Sequence, residues 1–393
     1  FDKLIGYLIQ ESASLSFTYT DEYLAEADAC AISISLPLTC KKYSGSVVEA
    51  FFGGILPEAE IRDAFARKLG ISVENDYSLL NEIGGDCAGA LAIGQSRIRS
   101  QRKLLSSNDL EKFFKQIPAR PLLSFQETRR MSLAGAQHKL SVLVSQNKIY
   151  LPASDEISTH IIKPMIKAYP TSSHNEYFSL ELARRLGLKV PVIELRFAGD
   201  TPYLLIERYD RDKQTRLHQE DFAQALGVSY KSKYESESGC GYAECFDLVT
   251  KHCHEAAGDK LRLLNLVILN FILANNDAHL KNFSLLYKNK ARWVELSPCY
   301  DLLSTAIYPD LSHKMAMKLG SEYSYKRVRP SDWEKFAEAI MVNPKYLSKH
   351  SQALAKDILL KAEALAEDLQ KEYPSRVYAE IINCMRERIK FVF

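Results

Sequence analysis

Residues 275–282 read Asn-Asn-Asp-Ala-His-Leu-Lys-Asn, and this stretch, NNDAHLKN, decides how the chain folds. It follows the longest apolar run of the sequence, Leu261–Ala274, and runs into a strand pattern, NFSLLY at 282–287. The apolar run carries Arg262, Asn265 and Asn270. It is too short and too polar to span a bilayer and predicts a buried helix. Polar side chains between such a helix and a strand predict a loop held on rigid elements, where functional groups concentrate.

Within that loop Asp277 and Asn282 stand five positions apart. Catalytic loops that transfer phosphoryl groups present a base and a magnesium-binding amide at this spacing. Alone, such a pair also serves to cap and turn a chain, so its neighbours matter. NFSLLY and ARWVELS (291–297) flank the turn KNK, a hairpin that returns the chain to where it began. Asp301, in LSPCYDL (296–302), is therefore expected beside Asn282. Asp277, Asn282 and Asp301 are all hard oxygen donors of the kind magnesium prefers. His279 and Lys281 flank the aspartate and are candidates for neutralising phosphate charge.

A nucleotide needs a second cation. Lys163 lies in the strand pattern THIIKP (158–164 with its leading serine) and suits that role, with Glu176 as a candidate ion partner that could equally complement a helix dipole. SLAGAQHK (132–139) precedes a strand, and its small residues would let the backbone approach phosphates, with Ala134, Gly135, Ala136, Gln137 and Lys139 as candidates. It holds one glycine and no dinucleotide or Walker motif. IERYD (206–210) ends a strand whose backbone near Glu207, Tyr209 and Asp210 could meet an adenine edge, or simply end the strand.

The wider chain fits two or three packed subdomains. It has 393 residues, 46% hydrophobic and 25% charged, with a net charge of +2 that argues for neither a nucleic-acid nor a membrane partner. The basic cluster Arg97, Arg99, Arg102 and Lys103 reads as a solvated linker face. Eight irregularly spaced cysteines read as reduced thiols of a cytosolic protein, and no signal peptide is visible. Cys240, Cys245, His252, Cys253 and His254 lack a C-x-x-C pair, which disfavours zinc. The expected fold is α+β and two-lobed, divided as 1–110, 111–210 and 211–393. The first segment has strands at LSFTYT, AISISLPL and ALAIG and a helix at PEAEIRDAFARKLG, bounded by Pro57 and Gly70. The second has five strands and a helix capped by Asn175. The third is mostly helical. SYKSKYESESGCGYAE (229–244), rich in Ser and Gly, is expected to be mobile.

Taken together, SLAGAQHKLSVLV, STHIIKP, NEYFSLELARRLGLKVP, IERYDR, RLHQEDFAQALGV, NDAHLKNFSLL and LSPCYDLLST resemble the HipA family of toxin kinases. FFGGILPE and GGDCAGAL resemble that family's N-terminal subdomain, so nearly the whole chain is covered. The resemblance implies a kinase-like fold and a serine/threonine kinase using ATP and Mg2+. Asp277 would be the base, Asn282 and Asp301 metal ligands, Lys163 a phosphate contact, and the backbone near Glu207 and Tyr209 the adenine site. Ser132 would be an autophosphorylated serine whose phosphate switches the kinase off. The implied partners are a small DNA-binding HipB-like antitoxin, carrying most of the operator contact, and a protein substrate such as an aminoacyl-tRNA synthetase. The implied setting is a bacterial cytoplasm, with delivery into another cell left open. His138 stands where the family commonly has a glutamate. Two other readings of the same residues remain: a kinase of a small molecule or lipid head group, and a catalytically silent co-repressor that binds an antitoxin.

Overall fold

The computed structural model describes residues 3–11, 14–39, 41–94, 101–117, 134–135, 137–153, 156–213, 215–289 and 292–392. The chain packs as two compact units. One comprises Phe1–Ile166, Val192–Lys231 and Leu286–Trp293; the other comprises Lys167–Pro191, Ser232–Leu285 and Val294–Phe393.

Among its described residues the first unit has two hydrophobic cores. One forms where β1 (Gly6–Glu11), β2 (Ser14–Tyr19) and β3 (Lys42–Ser44) make an antiparallel sheet backed by the helices Ser46–Gly54, Ala59–Leu69 and Asp76–Ile83. Phe17, Tyr19, Phe51, Phe52, Leu56 and Leu80 are buried in it. Gly70 ends Ala59–Leu69 in the left-handed conformation, as Pro57 and Gly70 predicted. Two expected strands are absent. At 31–38, Ile32 and Leu36 are buried, but their backbone is taken by a side chain. Tyr19 Oη accepts from Ile32 N at 3.0 Å and donates to Leu36 O at 2.6 Å. Residues 90–94 likewise fold back as coil, Ile93 N donating to Gly84 O at 2.7 Å.

The second core lies under a six-stranded antiparallel sheet of order β4-β6-β5-β7-β9-β8. Its strands are β4 (Lys103–Leu105), β5 (Leu140–Ser145), β6 (Lys148–Leu151), β7 (His160–Pro164), β8 (Ile193–Ala198) and β9 (Thr201–Glu207). Five were expected. The sixth, β4, comes from the polar stretch read as a connection, and pairs Leu104 with Tyr150. Gln146 and Asn147, both at positive φ, make the tight turn between β5 and β6.

A buried ion network ties residues 86–89 to the end of β9. Arg208 grips Asp210 with two hydrogen bonds, at 2.9 and 2.7 Å, and donates to Cys87 O and Ser158 Oγ. Arg211 pairs with Asp86 at 2.9 Å and Asp210 at 3.0 Å, and Arg216 lies 3.3 Å from Asp86. Gly89 N donates to Asp210 at 2.7 Å. Burial alone would raise the Asp210 pKa, but Arg208 and Arg211 hold it below the usual carboxylate value. Burial and the neighbouring Arg208 pull Arg211 down to about 10.

Glu220 is another buried acid of this unit. Ser33 Oγ and Tyr287 Oη donate to it, as does Ile34 N at 3.0 Å, yet full burial outweighs those donors and lifts its pKa from 4.5 to about 7. Between those values the unfolded chain gives up the proton while the folded chain keeps it, so stability falls as pH rises through the window. Glu220→Gln, which mimics the neutral acid, is expected to exceed the parent in stability at pH 8 by on the order of 3 kcal/mol and to match it near pH 4.5. Urea unfolding at both pH values checks this; a gap independent of pH would refute it.

The second unit is helical. Ala256–Leu273 is apolar around most of its circumference and packs against Tyr242–His252, Pro344–Glu372 and Val377–Ile389. Ser172–Arg185 completes the bundle, with Gly187 following its end at positive φ. Asn175 is not its cap. The helix starts at Ser172, and Asn175 is fully buried three residues inside it, where its side chain meets Ser304.

Candidate active site

The helix Ala256–Leu273 stops because Ala274 turns left-handed, at φ 59°, directing the next residues off the helix axis. Two asparagines then fix the loop. Asn275 donates to Asn270 Oδ1 at 2.8 Å and accepts from Asp277 N at 3.2 Å. Asn276 N donates to Thr305 Oγ1 at 2.8 Å, its amide donates to Ser312 O at 3.1 Å, and its Oδ1 accepts from Arg388 at 2.6 Å. The loop closes on the Asp277 carbonyl, which accepts from His279 N at 2.9 Å and from Asn282 Nδ2 at 3.1 Å. Asn275, Asn276, Ala278, His279, Leu280 and Lys281 are buried; Asp277 is exposed. One carboxylate is thus presented to solvent on an otherwise immobilised turn.

Asp301 follows the hairpin Ser284–Lys288 and Trp293–Leu296, as its spacing predicted. Ser297 N donates to Ser284 O at 2.9 Å, which brings the chain back to the end of the loop. Tyr300 completes the return: its hydroxyl donates to Lys281 O at 2.9 Å and shares a 2.5 Å hydrogen bond with Ser284 Oγ. Asp301 itself is held at φ +50°, a conformation costly for a residue with a Cβ and one that needs rigid surroundings. Those surroundings are present. Thr305 N and Ala306 N both donate to Ala274 O at 3.2 Å, and Asn175 clasps Ser304 N at 2.8 Å and Ser304 O at 2.9 Å.

Among the described residues no group of three or more His, Cys, Asp and Glu side chains is arranged to hold a metal ion. Asn282 and Asp301 are a smaller, all-oxygen set. Because the Asn282 amide nitrogen is committed to the Asp277 carbonyl, Oδ1 is the atom it turns the other way, the end a hard cation requires. The donor chemistry fits magnesium, which takes few protein ligands and completes its shell with water and phosphate.

The other expected residues lie in the first unit. Lys163 is buried on β7, opposite Leu204 of β9. Gly135 adopts φ +103°, a conformation that favours glycine, and its carbonyl accepts from Glu58 N at 3.2 Å. Lys139 donates to Ala134 O at 2.5 Å, and Gln137 to Pro164 O at 3.3 Å. Burial lowers the pKa of His138, whose Nδ1 has no hydrogen-bond partner among the described residues. Ser132, Ala136, Arg97 and Arg99 fall outside the described residues. Glu207 N donates to Val192 O at 2.8 Å, Tyr209 Oη donates to Gln219, and the Asp210 carboxylate is engaged in the ion network.

Sequence reasoning missed Tyr234, Tyr300, Asn175 and Arg388. Tyr300 had a signal, standing next to Asp301. Tyr234 had none, because it lies in the Ser/Gly-rich stretch expected to be mobile. That stretch instead contains the short helix Glu235–Ser238, and Tyr234 Oη donates to Asp277 Oδ1 at 2.9 Å.

Profiles of two domain families match the chain: the HipA N-terminal domain over residues 2–94 and the HipA-like C-terminal domain over residues 131–366. A Sinorhizobium fredii protein named provisionally as a kinase, Y4mE, is 39% identical over 86% of this chain and 83% of its own length. The serine/threonine-protein kinase toxin HipA of Shewanella oneidensis is 28% identical over 82% of this chain and 78% of its own. The solved complex of Shewanella oneidensis HipA, HipB and operator DNA contains a chain that superposes with a TM-score of 0.83 at 23% identity, covering 100% of this chain and 96% of that one. No helix among the described residues is long and apolar enough to cross a membrane.

Proposed function

This chain belongs to the HipA family of serine/threonine protein kinases, and from that premise we propose that it is the toxin of a toxin–antitoxin pair, transferring the γ-phosphate of ATP to a protein hydroxyl. The observation that carries the reading is the exposed Asp277 carboxylate on a loop closed by Asn282, with the Asp301 segment bonded to the same loop through Tyr300.

Each residue then has a role. Asp277 accepts the proton of the attacking hydroxyl. Asn282 and Asp301 would hold magnesium, which supplies charge neutralisation at the phosphates. Lys163 and the backbone at 134–139 bind the phosphates, with Lys139 bracing the loop through Ala134 O. Main-chain groups near Glu207 and Tyr209 take the adenine edge. Ser132 is the residue the kinase phosphorylates on itself. The partner is a small DNA-binding antitoxin of the kind named in the Shewanella oneidensis complex. A translation component such as an aminoacyl-tRNA synthetase is the expected substrate.

The test is the intact mass of the purified chain before and after incubation with ATP and magnesium, followed by peptide mapping. One added phosphate, mapped to Ser132, is the expected result. A phosphate mapped elsewhere would reject Ser132. A chain unmodified at the start that gains none would overturn self-phosphorylation and favour a small-molecule acceptor.

A further inference from the structure

We propose that Tyr234 is a positioning residue for phosphoryl transfer, fixing the Asp277 carboxylate through its phenolic hydroxyl. The proposal rests on the reading of Asp277 as the base. An exposed aspartate rotates readily about its last torsion, which is broad and two-fold. The 2.9 Å hydrogen bond from Tyr234 Oη to Asp277 Oδ1 restricts that freedom and holds the carboxylate in one orientation.

The phenol can do this because its own backbone is bonded to the loop it serves. Lys233 O accepts from Leu280 N at 3.3 Å on one side. On the other, Glu235 N donates to Ala316 O at 3.1 Å, and Ala316 N donates to Asn276 O at 2.8 Å. The buried Glu235 carboxylate adds an anchor, accepting from Lys318 N at 2.7 Å and pairing with Lys318 Nζ at 3.1 Å. The Tyr234 ring stands edge-on to the buried His279 ring, 5.4 Å between centroids at 81°, so the ring too is set against the loop. Residues 276, 277, 279 and 280 are thus all met by 233–235 or by the strap at 316. Such bracing suits a group that holds geometry rather than one that swings away. A phenol merely occupying the place of the substrate hydroxyl would act as a stopper, and its removal would speed the enzyme.

The experiment uses the full chain with Mg-ATP, counting γ-phosphate that becomes protein-bound plus that released to water. Tyr234→Phe is expected to lower kcat about 10- to 100-fold, the range for losing a hydrogen bond to a charged group, with KM for ATP within twofold of the parent. Tyr234→Leu is expected to fall at least as far. In an Asp277→Asn background, Tyr234→Phe is expected to add no further loss, since the two act as a unit. An unchanged or raised kcat in Tyr234→Phe overturns the proposal, and a raised one identifies a stopper. A loss in Tyr234→Leu without one in Tyr234→Phe also overturns it, assigning the effect to the ring. If Asp277→Asn itself keeps transfer, the base reading fails. If it loses transfer while Tyr234→Phe runs at the parent rate, only the assignment of Tyr234 fails.

Discussion

Asp277→Asn is expected to lower phosphoryl transfer by about a thousandfold while leaving Mg-ATP binding and the fold in place, because it removes the proposed general base without removing its shape. The loop closes on the main chain of Asp277: its N donates to Asn275 and its O accepts from His279 and Asn282. None of these bonds needs a carboxylate. The Tyr234 hydroxyl can still donate to an amide oxygen. What the amide cannot do is accept the substrate proton. Single-turnover transfer from labelled ATP, paired with nucleotide titration of the same preparation, separates the two functions. Transfer within tenfold of the parent would remove Asp277 from the mechanism, and a matching loss of nucleotide affinity would assign it to binding.

Asp86→Ala is expected to be the most destabilising single change in the first unit, at about 3–5 kcal/mol, because it breaks a buried ion group by removing one partner. The group holds Arg208, Arg211 and Arg216 against Asp86 and Asp210, three positive charges to two negative. Without Asp86, three guanidinium groups share one carboxylate, and the Ser158 hydroxyl loses its acceptor at 2.8 Å. Water cannot make up the loss: Arg208 and Arg211 side chains are 1% and 3% exposed. Adding Arg211→Met restores the original imbalance of one, so the double variant is expected to recover part of the loss, a coupling that a thermodynamic cycle reads directly. Equal, additive losses would show that the charges are already screened from one another. Calorimetry of the single and double variants settles it.

The candidate loop and the hairpin after it were legible because both are local in sequence. Asp277 and Asn282 lie within one turn of chain, and a hairpin is a short-range device for returning Asp301 to them. The polar residues that make the loop rigid were not legible, because their partners are distant in sequence. Asn175 reads as a helix cap, Asn and helix start coinciding, until Ser304, 129 residues later, claims its side chain. Asp210 reads as a strand end until its carboxylate is found bonded to Gly89, 121 residues earlier. The strand expected at 31–38 failed for a related reason. The sequence alternates there, but Tyr19 bonds the backbone at Ile32 and Leu36, and Glu220 takes Ile34 N, in place of a neighbouring strand. Composition misled at 229–244. Serine and glycine favour mobile chain on average, yet Gly241 is small here because the Glu235 carboxylate lies against it, and a Cβ there would fall 2.5 Å from it.

Arg388 joins the loop to the last helix, its guanidinium bonded to Asn276 Oδ1 across 112 residues and lying 3.8 Å from the Tyr325 ring centroid. Protein synthesis runs in one direction, so every codon up to 388 must be translated before that bond exists. Until then Asn276, one residue from the proposed base, lacks the partner that buries its side-chain oxygen. A ribosome carrying this chain therefore holds a kinase whose candidate loop gains this bond only after residue 388 has been made.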